Sequence, residues 1–373
     1  MENQKRRVPS FVFLLFVGVL TILFFVLPKE AYSSAEKRVL EKTPVFSWSS
    51  LTDGSLGSSI ERYLSDHFPG RKFFVGLNAY YELYTGRGGN SGIYQGKDGY
   101  LISTPVAYSE ETVASNVSRF RQFAENTGLP AKFLLVPSTG SILEEKLPAV
   151  HEPYHDDEIF QTAQENLGSI SLIDLRPAFL ENRDTLPLYY RTDHHLTTEG
   201  AYLMYTEFCK AAGIAPVTEY EKEIVPGFYG TTYSRSGLWF NAPDDIELWS
   251  NQNGPYQVTI SDAGVDPVVQ DSLFFREHLE EDDKYPVFLD GNHGLVKIEN
   301  QSAPKGSLLI VKDSFAHCMT TFLAQHYREI YLVDMRYYRQ PLSSLVAENN
   351  IEELLFLYGV DNLATDTNTA WIQ

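Results

Sequence analysis

Three stretches of the chain combine residue types that catalyse acyl transfer. The first is YYRTDHHLTTEG, from residue 189 to residue 200. If this stretch is extended, Asp193 and His195 face one side and His194 points away, because side chains two positions apart share a face. A carboxylate beside an imidazole fixes its tautomer and stabilises the cation that forms when it accepts a proton. The stretch therefore predicts a general base, with a helix cap in a solvated turn as the alternative.

The second stretch, GSLLIVKDSFAH from residue 306 to residue 317, predicts a buried strand that runs directly into a helix. Ser314 then lies on the connecting turn, where a hydroxyl is exposed at the carboxyl edge of a sheet. The helix dipole and the free N–H groups of the first turn favour a developing oxyanion there. We interpret Ser314 as a nucleophile, although Asp313 and Ser314 are also ordinary helix caps. His317 is a second, less favoured base.

The third stretch is LDGNHG, from residue 289 to residue 294, again after an apolar run that we interpret as a strand. The Asn292 amide could donate to an oxyanion, and Gly291 permits a backbone N–H to approach closely. A simple Gly/Asn turn is the alternative.

The elements that must position these groups alternate between amphipathic helices and short apolar runs, which predicts a parallel sheet covered on both faces. The helix from about Glu110 to Asn126 is capped by Ser109 and followed by Gly128, and Thr197 or Thr198 begins another. The predicted strands are Phe133–Val136, Leu172–Leu175, Val287–Leu289, Leu308–Val311, Ile330–Val333 and Leu354–Leu357. The fold class is therefore three-layer α/β.

Composition shifts divide the chain into five segments. We predict a cytoplasmic basic tail at 1–7, a transmembrane anchor or signal segment at 8–28, a stalk at 29–52, an N-terminal helical and hairpin adaptor at 53–105, and the α/β domain at 106–373. Residues 214–285 break the helix and strand rhythm with glycines, aromatics and an acidic run, and we interpret them as an insertion that rims a cleft.

The N-terminus determines the compartment. Lys5, Arg6 and Arg7 precede an uncharged apolar run that ends before Pro28. Its length is at the short end of what spans a bilayer and beyond an ordinary cleaved signal core, so an uncleaved anchor is favoured. The positive-inside rule places the rest of the chain outside the cytoplasm. Cleavage after the segment Ala31-Tyr32-Ser33, with secretion, is the alternative.

The charge of the chain excludes one class of partner, and its cysteines are too few for a scaffold. A net charge of −19 repels phosphate backbones, so no nucleic acid partner is expected. Cys209 and Cys318 fall within predicted helices and are read as buried thiols, with a single disulfide between them as the alternative. We expect no metal and no cofactor.

Taken together, YYRTDHHLTTEGAY, VFLDGNHG and LLIVKDSFAH, with HFPGRKFFVGLNAYYELYTG upstream, resemble the bacterial DHHW protein family. That family is related to the SGNH-hydrolase-like domains of the alginate O-acetylation proteins AlgJ and AlgX. The resemblance implies an SGNH-like sheet and a triad of nucleophile Ser314, base His195 and orienting Asp193. It also implies oxyanion donors at Asn292 and Gly291, and acetyl transfer to an exported polysaccharide.

The resemblance leaves the acceptor and the donor open. The fourth position of the family motif, Trp, is Leu196 here, so an aromatic wall beside the histidines is missing. A multispanning membrane acyltransferase could supply the acetyl group. Expected substrate-binding residues are Tyr229, Tyr233, Trp239, Arg191 and His194, and core packing is the alternative role for the aromatic ones.

Two other functions compete with acyl transfer. The sequence Asp193-His194-His195 is similar to a signature of metal-dependent phosphoesterases, but no second cluster of carboxylates follows a predicted strand. A catalytically inactive envelope protein that binds glycan or scaffolds a complex is the other alternative, because a fold does not by itself imply activity.

Overall fold

The protein divides into two compact units. The structure, a computed structural model, describes residues 2–33, 38–251 and 253–372, with the backbone alone for residues 2–7. The first unit comprises the chain up to Ser91 together with Ser234–Trp239, and the second comprises Gly92–Tyr233 and the chain from Phe240 onward. The side chains of the predicted basic tail, and part of the predicted stalk, lie outside the described residues.

Helices and strands alternate through most of the second unit. The helices are α1 Glu2–Val26, α2 Trp48–Thr52, α3 Ser55–Asp66, α4 Arg71–Glu82, α5 Glu110–Thr127, α6 Thr139–Ile142, α7 Asp156–Asn166, α8 Arg176–Asn182, α9 Thr198–Ala212, α10 Thr231–Ser236, α11 Ala316–Leu323, α12 Leu342–Glu348 and α13 Val360–Thr365. The strands are β1 Tyr32–Ser33, β2 Arg38–Val39, β3 Gly89–Asn90, β4 Ile93–Gln95, β5 Leu101–Ser103, β6 Ala131–Val136, β7 Ser171–Asp174, β8 Glu221–Phe228, β9 Asp244–Ser250, β10 Gln257–Ser261, β11 Val268–Gln270, β12 Leu295–Glu299, β13 Lys305–Lys312, β14 Tyr327–Val333 and β15 Glu353–Gly359.

The second unit is built on one eight-stranded sheet in the order β11-β10-β12-β14-β13-β15-β6-β7. The five strands from β14 to β7 are parallel, and the three strands at the other edge pair antiparallel. The prediction of a mainly parallel sheet is confirmed, and so are the five predicted strands that became β6, β7, β13, β14 and β15. The carboxyl ends of the parallel strands therefore share one edge, where ligands of such sheets bind.

The predicted strand Val287–Leu289 is wrong. Residues Tyr285–Val287 form a 3₁₀ turn, and Leu289 and Asp290 have φ values of 59° and 62°, in the left-handed region. The run is buried, and burial alone does not distinguish a strand from another buried segment. The sheet contains three strands that the sequence analysis did not predict. They are β12, which follows this turn, and β10 and β11, which lie within the predicted insertion, residues 214–285.

Both faces of the sheet are covered, which confirms the three-layer prediction. Along β13, Leu308 and Ile310 join the hydrophobic cluster that includes α9 and α11 residues. Leu309 and Val311 join the opposite cluster, which includes α5, α7, α12 and α13 residues. Alternate side chains of a strand point to opposite faces, so a continuous apolar run is the expected sequence of a strand buried on both.

Local sequence signals predicted several element ends correctly. The Ser109 hydroxyl accepts from the Thr112 amide at 3.3 Å at the start of α5, and Gly128 ends that helix with φ of 67°. The predicted hairpin is present as the antiparallel pair β4 and β5. Cys209 and Cys318 are buried free thiols, as the favoured interpretation had them.

The N-terminal helix α1 has the length and composition to cross a membrane over Val8–Val26, and this stretch is unburied. These properties are compatible with a single-pass anchor and with a signal sequence.

Truncation of a buried leucine in β15 should destabilise the second unit. Leu355→Ala removes a side chain that is 0% exposed in the central part of the sheet, and such truncations cost about 2–5 kcal/mol. Leu180→Ala is the matched control, because Leu180 is 45% exposed and should cost less than about 1 kcal/mol. Urea denaturation of the full chain would measure both, and equal losses would contradict this account of the core.

Candidate active site

The turn after β13 carries Ser314 to the carboxyl edge of the sheet. Asp313 holds this turn in place: its Oδ2 accepts from the Gly359 amide and from Asn362 Nδ2, each at 2.7 Å, and its Oδ1 accepts from the Phe315 amide at 3.0 Å. Burial raises the pKa of this carboxyl. Asp313 thus ties the nucleophile turn to the neighbouring strand β15, and among the described residues its carboxylate has no hydrogen bond to the Ser314 hydroxyl.

The Asp193 and His195 segment is a closed loop rather than an extended strand. An isolated bridge joins Tyr189 to Leu196, and the Tyr190 amide donates to the His195 carbonyl at 3.2 Å. The His195 amide donates to Asp193 Oδ1 at 2.9 Å. The predicted extended geometry is therefore wrong, but the loop still brings the carboxylate and the imidazole together.

Ser314, His195 and Asp193 form one hydrogen-bonded chain. His195 Nδ1–H donates to Asp193 Oδ1, and His195 Nε2 accepts from Ser314 Oγ at 2.7 Å. The three residues are 8%, 5% and 1% exposed respectively. This is the geometry in which an imidazole removes a proton from a serine hydroxyl while a carboxylate stabilises the resulting charge.

The second oxygen of Asp193 is satisfied by residues that the sequence did not single out. Asp193 Oδ2 accepts from the Thr231 amide at 2.5 Å and from the Thr231 hydroxyl at 2.8 Å. A side chain at Gly230 would place its Cβ 2.1 Å from Asp193 Cβ, so this position must be glycine. No motif marks the pair in the sequence, because the contact joins positions 38 residues apart.

An aromatic ring supports the imidazole. Tyr285 stacks on His195 with ring centroids 3.8 Å apart and an angle of 8° between the planes. The Tyr285 hydroxyl donates to the Ser314 carbonyl at 3.4 Å, and Phe315 meets the imidazole edge-on at 5.5 Å. The sequence analysis did not predict that Tyr285 supports His195. It placed Tyr285 at the end of the insertion, residues 214–285.

His194 lies beside His195 instead of pointing away, with ring centroids 3.9 Å apart. Its Nδ1 is 2.7 Å from the Thr231 hydroxyl, and since that hydroxyl donates to Asp193, His194 Nδ1–H is the donor here. Asp193, His194 and His195 each offer a ligand atom within 4.8 Å of the others, which is close enough for one metal ion. An ion there would replace hydrogen bonds that now hold the chain from Asp193 to Ser314.

Neither of the two proposed oxyanion donors, the Gly291 backbone N–H and the Asn292 side-chain amide, is hydrogen-bonded to Ser314 within the described residues. The Gly291 amide donates to the Phe288 carbonyl at 3.3 Å, and Asn292 Oδ1 accepts from Arg336 Nη2 at 2.9 Å. Their oxyanion role stays a prediction. The backbone N–H of Ser314 itself has no hydrogen-bond partner in the described part of the chain, so it is available to an oxyanion.

His317 is committed elsewhere and is a poor base. Its Nε2 accepts from Lys312 Nζ at 2.7 Å, and Lys312 Nζ lies 3.2 Å from Asp334 Oδ2. Burial and the adjacent Lys312 hold the pKa of His317 well below its usual range. His195 is therefore the base that the geometry offers to Ser314.

Arg191 braces the loop that holds the catalytic candidates. Its Nε pairs with Asp244 Oδ1 at 3.0 Å, and Asp244 Oδ2 accepts from the Thr192 amide and hydroxyl at 2.8 and 2.7 Å. Asp244, held by Arg191, therefore fixes Thr192, the residue immediately before Asp193.

The three aromatic residues proposed for substrate binding separate into two groups. The rings of Tyr229 and Tyr233 lie 4.2 Å apart in the second unit. Trp239 belongs to the first unit, where its ring stacks on Phe73 at 5.8 Å and leaves no room for a side chain at Gly76. Trp239 thus packs within the first unit, but its side chain is 37% exposed, and its role in substrate binding stays a prediction.

A comparison with known protein families finds one match. Residues 160–333 match the model of the DHHW protein family. The resemblance to the DHHW family is thereby confirmed. Asp193, His195 and Ser314 all lie within the matched segment.

Solved structures of other proteins share the fold of this chain. A DHHW family protein from Eubacterium siraeum is 23% identical over 75% of this chain and 94% of its own, with a TM-score of 0.65. PatB1 of Bacillus cereus, in a structure with a sulfonyl adduct, is 20% identical over 74% and 99%, with a TM-score of 0.63. The O-acetyltransferase domain of Pseudomonas putida AlgJ is 15% identical over 74% and 93%, with a TM-score of 0.47. No curated protein sequence matches the chain.

A methyl group at position 230 should break the pairing of Asp193 with His195. Gly230→Ala forces the carboxylate to move, so the strongly deshielded proton resonance of the imidazole N–H that donates to Asp193 should disappear or shift upfield. Gly57→Ala is the control, because a Cβ there meets nothing within 4 Å. An unchanged proton NMR signal in Gly230→Ala would contradict the packing described.

The loop that carries Asn292 is held by a charged histidine, which gives a pH test. Burial opposes the charge on His293, but hydrogen bonds to Asp290 and Asp262 outweigh it and raise its pKa to about 9. Because the pKa of His293 is higher in the folded protein than the value of about 6.5 in the unfolded chain, its interactions stabilise the fold. This contribution is fully present below about pH 6.5. That contribution disappears as the pH rises through 9.

The stability lost in His293→Gln should therefore be largest near pH 6 and should shrink steadily towards pH 10. Denaturation curves of both proteins across this range would measure it. His151→Gln is the matched control, because among the described residues the His151 ring is hydrogen-bonded to a backbone carbonyl and to no carboxylate. A loss in His293→Gln that is constant with pH would contradict the assignment.

Proposed function

We propose that this protein is an extracytoplasmic acyltransferase or esterase, most simply an O-acetyltransferase, that acts on a cell-envelope or exported polysaccharide. The observation that carries the proposal is the unbroken hydrogen-bonded chain from Ser314 through His195 to Asp193. A binding protein has no need of a serine hydroxyl directed at a buried, carboxylate-oriented imidazole.

The proposed reaction is a double displacement. His195 Nε2 takes the proton of Ser314 as Oγ attacks the carbonyl carbon of an acyl ester. The tetrahedral intermediate collapses, His195 returns the proton to the leaving alcohol, and an acyl-serine remains. A sugar hydroxyl then gives its proton to His195 and attacks the acyl group, which restores free Ser314; attack by water gives hydrolysis instead.

Charge that develops on the carbonyl oxygen needs donors already in place. The unpartnered Ser314 N–H, in the turn just before α11 begins at Ala316, is such a donor, and the helix dipole favours a negative charge near this end. Asn292 and Gly291 stay proposed as further donors. One donor of this kind is typically worth about 10²–10³ in rate.

A pair of aromatic rings supports a polysaccharide as the acceptor. Tyr229 and Tyr233 form an adjacent pair of rings of the kind that sugar faces pack against. Leu196, at the position of the family's tryptophan, is buried in the core and offers no aromatic wall. The acceptor surface therefore differs from the family pattern at this point. A multispanning membrane acyltransferase is proposed as the donor of the acyl group.

We further propose that α1 is a single-pass anchor with the rest of the chain outside the cytoplasm. The support is an apolar stretch at Val8–Val26 preceded by Lys5, Arg6 and Arg7, the charge order of the positive-inside rule. Cleavage and secretion is the alternative, and it leaves the compartment of the catalytic residues unchanged.

The nucleophile can be tested by covalent trapping. Because PatB1 has been obtained with a sulfonyl adduct, a sulfonyl fluoride and an activated acetyl ester are suitable probes. The full chain should gain one adduct by intact mass, and Ser314→Ala should gain none. His195→Ala should slow the modification by about 10³-fold or more. Ser343→Ala, at an exposed serine of α12, is the matched control and should react like the parent.

Three results would contradict this proposal. Modification that persists in Ser314→Ala would place the nucleophile elsewhere. Modification that EDTA abolishes and a divalent metal restores would favour a metal site at Asp193, His194 and His195. A folded protein that takes no adduct from either probe would favour a binding or scaffold role.

A further inference from the structure

The part of the first unit that follows α1 exposes many large apolar side chains. Eleven of them between residues 45 and 84 are at least 39% exposed: Val45, Phe46, Trp48, Leu51, Ile60, Leu64, Phe68, Phe73, Leu77, Tyr81 and Tyr84. Single exposed apolar residues are ordinary, but a concentration of this kind marks a surface that meets a partner or a membrane.

The exposed residues follow the helical repeat. On α4, Phe73, Leu77 and Tyr81 are spaced four residues apart and so form one stripe. The opposite side of α4 is packed, since Gly76 and Ala79 are buried. On α3, Ile60 and Leu64 have the same spacing. We call the exposed stripes of α3 and α4, with Ile60, Leu64, Phe73, Leu77 and Tyr81, the apolar face.

The end of the apolar N-terminal helix contacts α3. The Phe24 ring meets Tyr63 edge-on with centroids 6.0 Å apart, and Lys29 Nζ lies 3.7 Å from the Phe24 ring centroid. Phe24 is near the last residue of the stretch that can cross a membrane, Val8–Val26. If α1 spans the bilayer, this contact places α3 at the outer surface of the same bilayer.

The charge distribution along the chain permits α3 and α4 to lie close to lipid headgroups. Residues 29–91 contain eight Lys or Arg and seven Asp or Glu, whereas residues 92–373 contain 19 and 41. Anionic lipid headgroups repel an acidic surface and do not repel a nearly neutral one. Trp and Tyr, such as Trp48 and Tyr81, are also the side chains that favour the boundary between lipid and water.

We propose that the apolar face of α3 and α4 is a lipid-binding surface that lies in the outer interface of the membrane crossed by α1. This inference rests on the proposed anchor. Amphipathic helices of this type bury their apolar side among the headgroups and upper acyl chains. The two short helices then act with α1 as one membrane-bound unit.

Site-directed spin labelling of the full chain can test this surface. Leu77→Cys and Ile60→Cys place the label on the apolar face, and Asn78→Cys and Ser58→Cys place it at exposed positions of the same helices that are not part of the stripes. The native Cys209 and Cys318 are buried, which limits background labelling. Each protein is incorporated into nanodiscs of phosphatidylethanolamine and phosphatidylglycerol, so that both membrane faces are accessible to reagents.

Electron paramagnetic resonance should then show that labels at 60 and 77 relax strongly with oxygen and weakly with a water-soluble nickel chelate. The oxygen-to-nickel ratio should be severalfold higher there than at 58 and 78. Equal ratios at all four positions would overturn the proposal. Protection from both reagents at 60 and 77 would also overturn it, because it would indicate a protein partner or a second copy.

The acyl-transfer proposal is tested separately in the same samples. Adduct formation at Ser314 reports on that function whatever the labels show. Loss of the protein from the nanodiscs at high salt would contradict the anchor, and the lipid surface with it.

Discussion

The buried carboxylate of Asp193 is the constraint around which the catalytic region is organised. An ionised carboxylate taken out of water is costly unless hydrogen bonds replace its solvation. Here His195 and Thr231 supply them from two separate segments of the chain. Gly230 is required because any side chain there would occupy the space of the carboxylate. The direction of the imidazole, and therefore its reach to Ser314, follows from this arrangement.

The sheet supplies the other half of the geometry. The nucleophile turn follows β13, a central strand with parallel neighbours on both sides, and Asp313 bonds the turn to the end of β15. Such a turn has little freedom to move, so Ser314 Oγ is held within hydrogen-bond distance of His195 before any substrate binds. Preorganisation of this kind is what a triad contributes to catalysis.

Much of this could be predicted where the signal is local. The apolar runs of β6, β13, β14 and β15, the caps at Ser109 and Thr197, and the proximity of Asp193 to His195 follow from short-range pattern. The stretch around Leu289 was misread because burial and apolar composition are the same in a strand and in a strained turn. The roles of Thr231 and Tyr285 depend on contacts between distant segments, which no local pattern encodes. The stacking of Trp239 on Phe73 likewise joins distant positions of the chain, so the sequence left both packing and substrate binding open for it.

The central claim is that Ser314 Oγ forms the covalent bond to the acyl group. A crystal structure of the full chain after reaction with a sulfonyl fluoride would test it most directly. The account predicts continuous density from Ser314 Oγ to the sulfonyl sulfur, with a sulfonyl oxygen within hydrogen-bond distance of the Ser314 N–H and with His195 still paired to Asp193. An adduct on another residue, or an unmodified Ser314 in a protein whose mass shows one adduct, would contradict it.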